Sequence, residues 1–228
     1  MLESENKIFN HIKIHTQYSI CEGAVKIDEL KEFCKDNKIK SVGLSDTANL
    51  CGSLEFSENL SKSGTQPIIG TQIYFNYNGN IGLLPLIAKT NIGYKKIVEL
   101  SSKSYLQNEN EVPVCSFEDL LVENNGVIVL SGAIFGLSGK LFNKGKFTEI
   151  EEIYKKLKNK FDNNFYIEVQ RHNDKNEKNF ENFNLKKSEE LDIPIIATNE
   201  VFYIDKNMHE AHDALTCIGN KTYLSEKN

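Results

Sequence analysis

Apolar and β-branched residues gather in seven short runs, Ile12–Thr16, Ser41–Asp46, Pro67–Phe75, Leu83–Lys89, Gly126–Gly132, Phe165–Gln170 and Pro194–Thr198. Each has the length and composition of a strand. Between most of them the apolar spacing changes to that of a helix. Lys26–Asn37 carries Ile27, Leu30 and Cys34 on one helical face, and Asn49–Lys62 stops before Gly64. Thr148 and Glu151 have the spacing of a capping box ahead of the stripe Ile153, Tyr154, Leu157 and Phe161. Asn173–Leu191 is a further helix that ends before Pro194. No helix separates the third and fourth runs. Asn76–Asn80, NYNGN, reads as a tight turn, so these two runs form a hairpin or a shortened unit. His209–Ile218 reads as the start of a helix, and the polar Gly219–Asn228 reads as the end of a piece cut from something longer.

Alternation of strand and helix predicts an α/β fold with a mainly parallel sheet. GVIVLSG and IPIIATN are apolar through most of their length, as strands covered on both faces are. An open doubly wound sheet and a closed barrel both fit this pattern. The ends of the runs favour the barrel, because His15, Asp46, Gln72, Ser131, Gln170 with His172, and Asn199 with Glu200 all stand there. Strands that end in such residues share one mouth in (βα) barrels. No Pro/Gly/Ser-rich linker divides residues 1–228, which predicts a single domain.

Composition narrows the function classes. No apolar run in the 228 residues approaches the ~20 needed to span a bilayer. The opening MLESENKIFN lacks the basic and apolar parts of a secretory signal, so a cytoplasmic protein with no membrane partner is expected. Cys21, Cys34, Cys51, Cys115 and Cys217 are scattered and never form C-x-x-C. That pattern speaks against a disulfide framework or a zinc ribbon, and the five read as small buried hydrophobes. The net charge of −5 gives no basic footprint for gripping phosphate backbones.

The chemistry concentrates at the first strand. In HIKIH a period of two places His11, Lys13 and His15 on one side and the isoleucines on the other. His15, Asp46, His172 and Glu200 are the best candidate ligands, since imidazole and carboxylate suit Zn, Mn or Fe. The plainer reading of the four is a hydrogen-bonded polar cluster. Lys13 aims an ammonium at the same mouth, where it would repel a divalent cation and replace it by pairing with Asp46 or Glu200. Alternatively it points into solvent. His209 and His212 read as a solvated helix face, and His11 as structural. GAIFGLSG, Gly132–Gly139, lacks both the Lys-Ser/Thr of a P-loop and dinucleotide spacing, and no serine sits in G-x-S-x-G.

Taken in order, HIKIHTQYSICEGAVKIDEL, SVGLSDTANLCGSLEF, QPIIGTQIYF, GVIVLSG, FYIEVQRH and IPIIATNEVFYI resemble one known domain from about Ile8 onward. It is the N-terminal PHP (polymerase and histidinol phosphatase) domain of bacterial replicative DNA polymerase III alpha subunits. The resemblance implies a distorted seven-stranded (βα) TIM-like barrel. It also implies where ligands would stand, because metal-binding members carry a trinuclear cluster at the mouth. Those positions read here as Lys13 and His15, Asp46 and Thr47, Gln72, Leu83, Ala133, His172, and Glu200 with Phe202. Most of the set is gone, with Lys13 as the substitution that closes the site. The resemblance therefore implies no catalytic residue, no full cluster and at most one divalent metal (Zn, Mn or Mg) on the vestigial His15, Asp46, His172 and Glu200. It implies a catalytically silent scaffold within a DNA-directed DNA polymerase whose nucleotidyltransferase chemistry lies outside this chain. Expected partners are the remainder of the alpha chain and the proofreading exonuclease subunit, with DNA met only through the full polymerase. The alternative is a residual metal-dependent phosphoesterase or 3'-5' exonuclease working at the mouth.

Overall fold

The computed structural model describes residues 9–106, 112–122 and 125–225, so the first eight residues and the last three of the polar tail lie outside it. In chain order the elements are β1 (Lys13–Ile14), α1 (Ile27–Asp36), β2 (Ser41–Gly43), β3 (Asp46–Thr47), α2 (Ser53–Lys62), β4 (Gln66–Ile68), β5 (Gly70–Tyr77) and β6 (Asn80–Ala88). There follow α3 (Asn91–Leu106), β7 (Val114–Ser116), α4 (Phe117–Leu121), β8 (Val127–Leu130), α5 (Leu137–Asn143) and α6 (Phe147–Phe161). The chain ends with β9 (Phe165–Val169), α7 (Glu177–Leu191), β10 (Ile195–Ala197), β11 (Glu200–Val201) and α8 (His209–Asn220).

All seven apolar runs become strands, but two of them are split, and a short strand follows the seventh. β2 and β3 belong to the second run, β4 and β5 to the third, and β10 continues into β11 beyond the seventh. The split lets one segment change neighbours: β4 pairs with β2, whereas β5 pairs with β3, β6 and β7. The pairings β3–β5, β8–β9, β9–β10 and β1–β11 are parallel, while β6 runs antiparallel to both β5 and β8. A bridge from Ile14 to Leu44 joins β1 to the residue after β2. Followed along the continuous segments, these pairings pass through all seven runs and return to β1.

Asn76–Asn80 closes a hairpin. Asn78 and Gly79 both take positive φ, 50° and 78°, as a two-residue turn of the type that matches strand twist requires. The larger core packs Ile73, Leu84, Val129 and Ile167 of the sheet against Ile153, Tyr154 and Leu157 of α6. A second core lies under α1 and α2, where Ile14, Leu44, Ile27, Cys34 and Phe56 meet.

Several expectations are corrected. The Thr148–Glu151 capping box does not form, because α6 begins at Phe147 with Lys146 at the N-cap and no side-chain cap. The cap instead forms at α4, between Ser116 and Asp119. The cysteines are free, but only Cys34, Cys115 and Cys217 are buried; Cys51 is exposed and Cys21 half-buried. No helix among the described residues is long and apolar enough to cross a membrane.

Candidate functional site at the strand ends

Lys13 and Glu200 are direct neighbours in the β1–β11 ladder. That register brings a lysine and a glutamate side by side at strand ends, and both are withdrawn from solvent. Lys13 is 2% exposed, and its Nζ lies 3.0 Å from Glu200 Oε1 and 3.0 Å from Glu168 Oε1. Burial works to lower the Lys13 ammonium, but the two carboxylates override it and raise it above its usual value. Burial likewise works to raise Glu200, and Lys13, His15 and Gln72 override it, holding the carboxyl far below the usual range.

His15, the residue after β1 and two beyond Lys13, turns to the same side. Its Nε2 lies 3.3 Å from Glu200 Oε1 and 3.1 Å from Gln72 Nε2, and the Gln72 amide donates to Glu200 Oε1 at 2.6 Å. The ring stacks on Phe202 with centroids 4.4 Å apart. The loop after β1 must come close to do this. At Gly23 a Cβ would stand 2.1 Å from the Thr16 carbonyl oxygen, so only glycine fits.

Asp46 is fully buried, and it is not the partner of Lys13. Its Oδ1 accepts from the Thr16 amide (2.6 Å) and the Ser19 hydroxyl (2.7 Å), and its Oδ2 from the Thr16 hydroxyl (2.7 Å). Three neutral donors from the loop after β1 thus occupy both oxygens. Ser19 Oγ lies 3.4 Å from His15 Nδ1, which links Asp46 to the mouth indirectly.

The positions that the resemblance assigns to ligands converge. Lys13, His15, Thr47, Gln72, Leu83, Ala133, His172, Glu200 and Phe202 all line one cavity of about 420 Å³. His172 lines it while its backbone amide is held by Glu177 Oε2 at 2.6 Å. His212 lines it too, and is not a solvated helix residue: its Nε2 donates to the Glu22 carbonyl oxygen at 2.7 Å. His209 is exposed and pairs with Asp213. His11 precedes β1, so strand alternation does not reach it. It sits edge-on to Phe9 and lines a separate groove with Ile14 and Leu30.

Glu168 is the site residue that sequence reasoning missed. It stands in the middle of an apolar run rather than at its end. The available signal was its place two residues before Gln170, which follows β9, since extended backbone sends residues i and i+2 to the same side. Among the described residues no group of three or more His, Cys, Asp or Glu is placed to hold a metal ion. The charge that a cation would supply comes from Lys13, and Asp46 has no oxygen left without a donor.

Comparison with known proteins gives a consistent picture. The family model described as PHP domain matches residues 11–172. The DNA polymerase III alpha subunit of Rickettsia conorii is 35% identical over 224 residues, covering 96% of this chain and 19% of that protein. The alpha subunit of Caulobacter vibrioides is 32% identical over 235 residues, covering 99% of this chain and 21% of that protein. The chain thus spans about a fifth of the length of the curated relatives it matches. Among solved structures, a putative metal-dependent phosphoesterase from Bifidobacterium adolescentis superposes with a TM-score of 0.54 at 11% identity, covering 91% of this chain and 97% of that one. An amidohydrolase from Chromobacterium violaceum gives 0.56 at 10% identity, covering 90% and 96%. These two likenesses show a shared α/β fold.

Proposed function

This chain belongs to the PHP domain family, and from that premise we propose that it forms the PHP domain of a replicative DNA polymerase III alpha subunit. Within that polymerase it acts as a catalytically silent scaffold. It supports the remainder of the alpha chain and binds the proofreading exonuclease subunit. Matches to alpha subunits along nearly the whole chain support the polymerase reading. Nucleotidyl transfer needs carboxylates that hold two metal ions, and these belong to other parts of such a polymerase.

The observation that carries the silent reading is the Lys13 ammonium, fixed 3.0 Å from each of two carboxylates at the mouth. A hydrolytic metal centre needs free ligands and a bound water made acidic by the ion. Here Glu200 is spent on Lys13, Gln72 and His15, and Asp46 on Thr16 and Ser19. The Leu83, Ala133 and Phe202 side chains offer no donor. The residues present do not fit a multi-metal cluster.

Two measurements on the full-length protein test the two halves of the proposal. No phosphomonoester or 3'-5' exonuclease turnover is expected with added Mn²⁺ or Zn²⁺. Turnover that disappears in His172→Ala would overturn the silent reading. The cognate proofreading exonuclease should bind the full-length chain and fail to bind a form that lacks these residues. Equal binding to both would overturn the partner assignment.

A further inference from the structure

Three side chains behind the mouth share one irregularity. Each has one polar atom hydrogen-bonded and the other buried without a hydrogen-bond partner in the protein. Glu168 Oε1 accepts from Lys13 Nζ (3.0 Å), Gln170 Nε2 (3.1 Å) and the Thr198 hydroxyl, while Oε2 has no donor. Glu177, the first residue of α7, accepts at Oε2 from the amides of His172 (2.6 Å) and Asn173 (2.9 Å), while Oε1 has no donor. Asn184 lies two helical turns further on. Its Oδ1 accepts from the Tyr154 hydroxyl (2.9 Å), while Nδ2 has no acceptor. The three are 0%, 7% and 1% exposed.

All three line the same small cavity, which measures about 10 Å³ and is bordered on its apolar side by Ile134 and Phe180. We propose that this cavity is a built site for one internal water. A single water takes about 10–15 Å³ on this measure and makes two to four hydrogen bonds. Its two hydrogens go to Glu168 Oε2 and Glu177 Oε1, and its oxygen accepts from Asn184 Nδ2. Each of the three idle atoms then has a partner. A cation does not suit the site. The Tyr154 hydroxyl holds the Asn184 oxygen, so the amide turns its N–H groups toward the cavity, and hard cations take about six or more oxygen ligands. The water clamps α7 to β9 and holds Glu168 with its other oxygen toward Lys13.

Crystals of the full-length protein test this directly, with and without a soak in thallium(I) or manganese(II). The expected result is one density peak within about 2.6–3.2 Å of all three atoms and no anomalous signal there. An anomalous peak would mean a cation site and overturn the proposal. So would a map without the peak in which the two carboxylate oxygens share a proton. In Asn184→Leu the peak should vanish and the Tm fall by about 2–10 °C. A variant of unchanged Tm would also overturn it, and if the variant does not fold, the wild-type map decides.

Discussion

Lys13 is a charged side chain that the fold cannot easily release. It sits in the ladder opposite Glu200 and reaches Glu168 behind the mouth, so its removal leaves one fully buried and one largely buried carboxylate without their cation. Breaking a buried ion pair from one side costs about 3–5 kcal/mol. Lys13→Met should therefore lower the unfolding free energy in urea by that order. Glu200 contributes a pH dependence whose sign follows from its depressed pKa. Its stabilisation is complete above the ordinary value of 4.5 and is lost as pH falls through the lower folded value. Urea midpoints should decline as pH drops below about 4.5, and Glu200→Gln should flatten that decline. At this scale the sequence disclosed residues at strand ends, which is why Lys13, His15 and Glu200 were legible. It disclosed Asp46 as a site residue but not its partners. Those depend on how the loop after β1 folds back, bringing the Thr16 and Ser19 hydroxyls onto the carboxylate. Glu168 was hidden because the apolar residues around it mark a core strand, and only its parity with Gln170 betrays its direction.

Helices and strands were legible where burial is periodic and illegible where a short local motif competes with packing. Thr148 and Glu151 have the right spacing for a capping box, yet α6 starts one residue before Thr148. The start is set by Ile150, Ile153 and Leu157 turning into the larger core, which carries Thr148 into the first turn. At α4 the motif and the packing agree. Ser116 Oγ accepts from the Asp119 amide at 3.2 Å, the Asp119 carboxylate accepts from the Ser116 amide at 3.2 Å, and Phe117 and Leu120 bury the helix. Ser116→Ala should thus cost about 1 kcal/mol in unfolding free energy. Thr148→Ala should be neutral or slightly stabilising, because alanine suits a helix interior better than threonine by a few tenths of a kcal/mol, about 0.5. The reverse ranking in thermal melts would mean that the first turn of α6 is capped after all. β7 escaped notice for a different reason. It is three residues long and pairs parallel to the outer half of β5, a contact made in space with no periodic trace in sequence.

At the scale of the molecule, the strand pairings carry residues from every part of the chain to one cavity, where Leu83, Ala133 and Phe202 meet Lys13 and His15. A mouth of this composition is held by a cation covalently attached to the chain and by ring and aliphatic contacts. A mouth held by metal would behave differently when the metal is withdrawn. A ligand present at one hundred times its dissociation constant stabilises a protein by about 2.7 kcal/mol. For a domain of this size that corresponds to roughly 5–10 °C in Tm. Dialysis of the full-length protein against EDTA should instead leave the unfolding of this domain within about 1 °C of its starting value. Lys13→Met should lower it by about 6–20 °C with or without the chelator. A large fall on chelation, reversed by Zn²⁺ or Mn²⁺ in the wild type, would place a structural metal at the mouth. Lys13 would then have to turn away from Glu168 and Glu200 to admit it, so the two outcomes separate a lysine-held scaffold from a metal-held one.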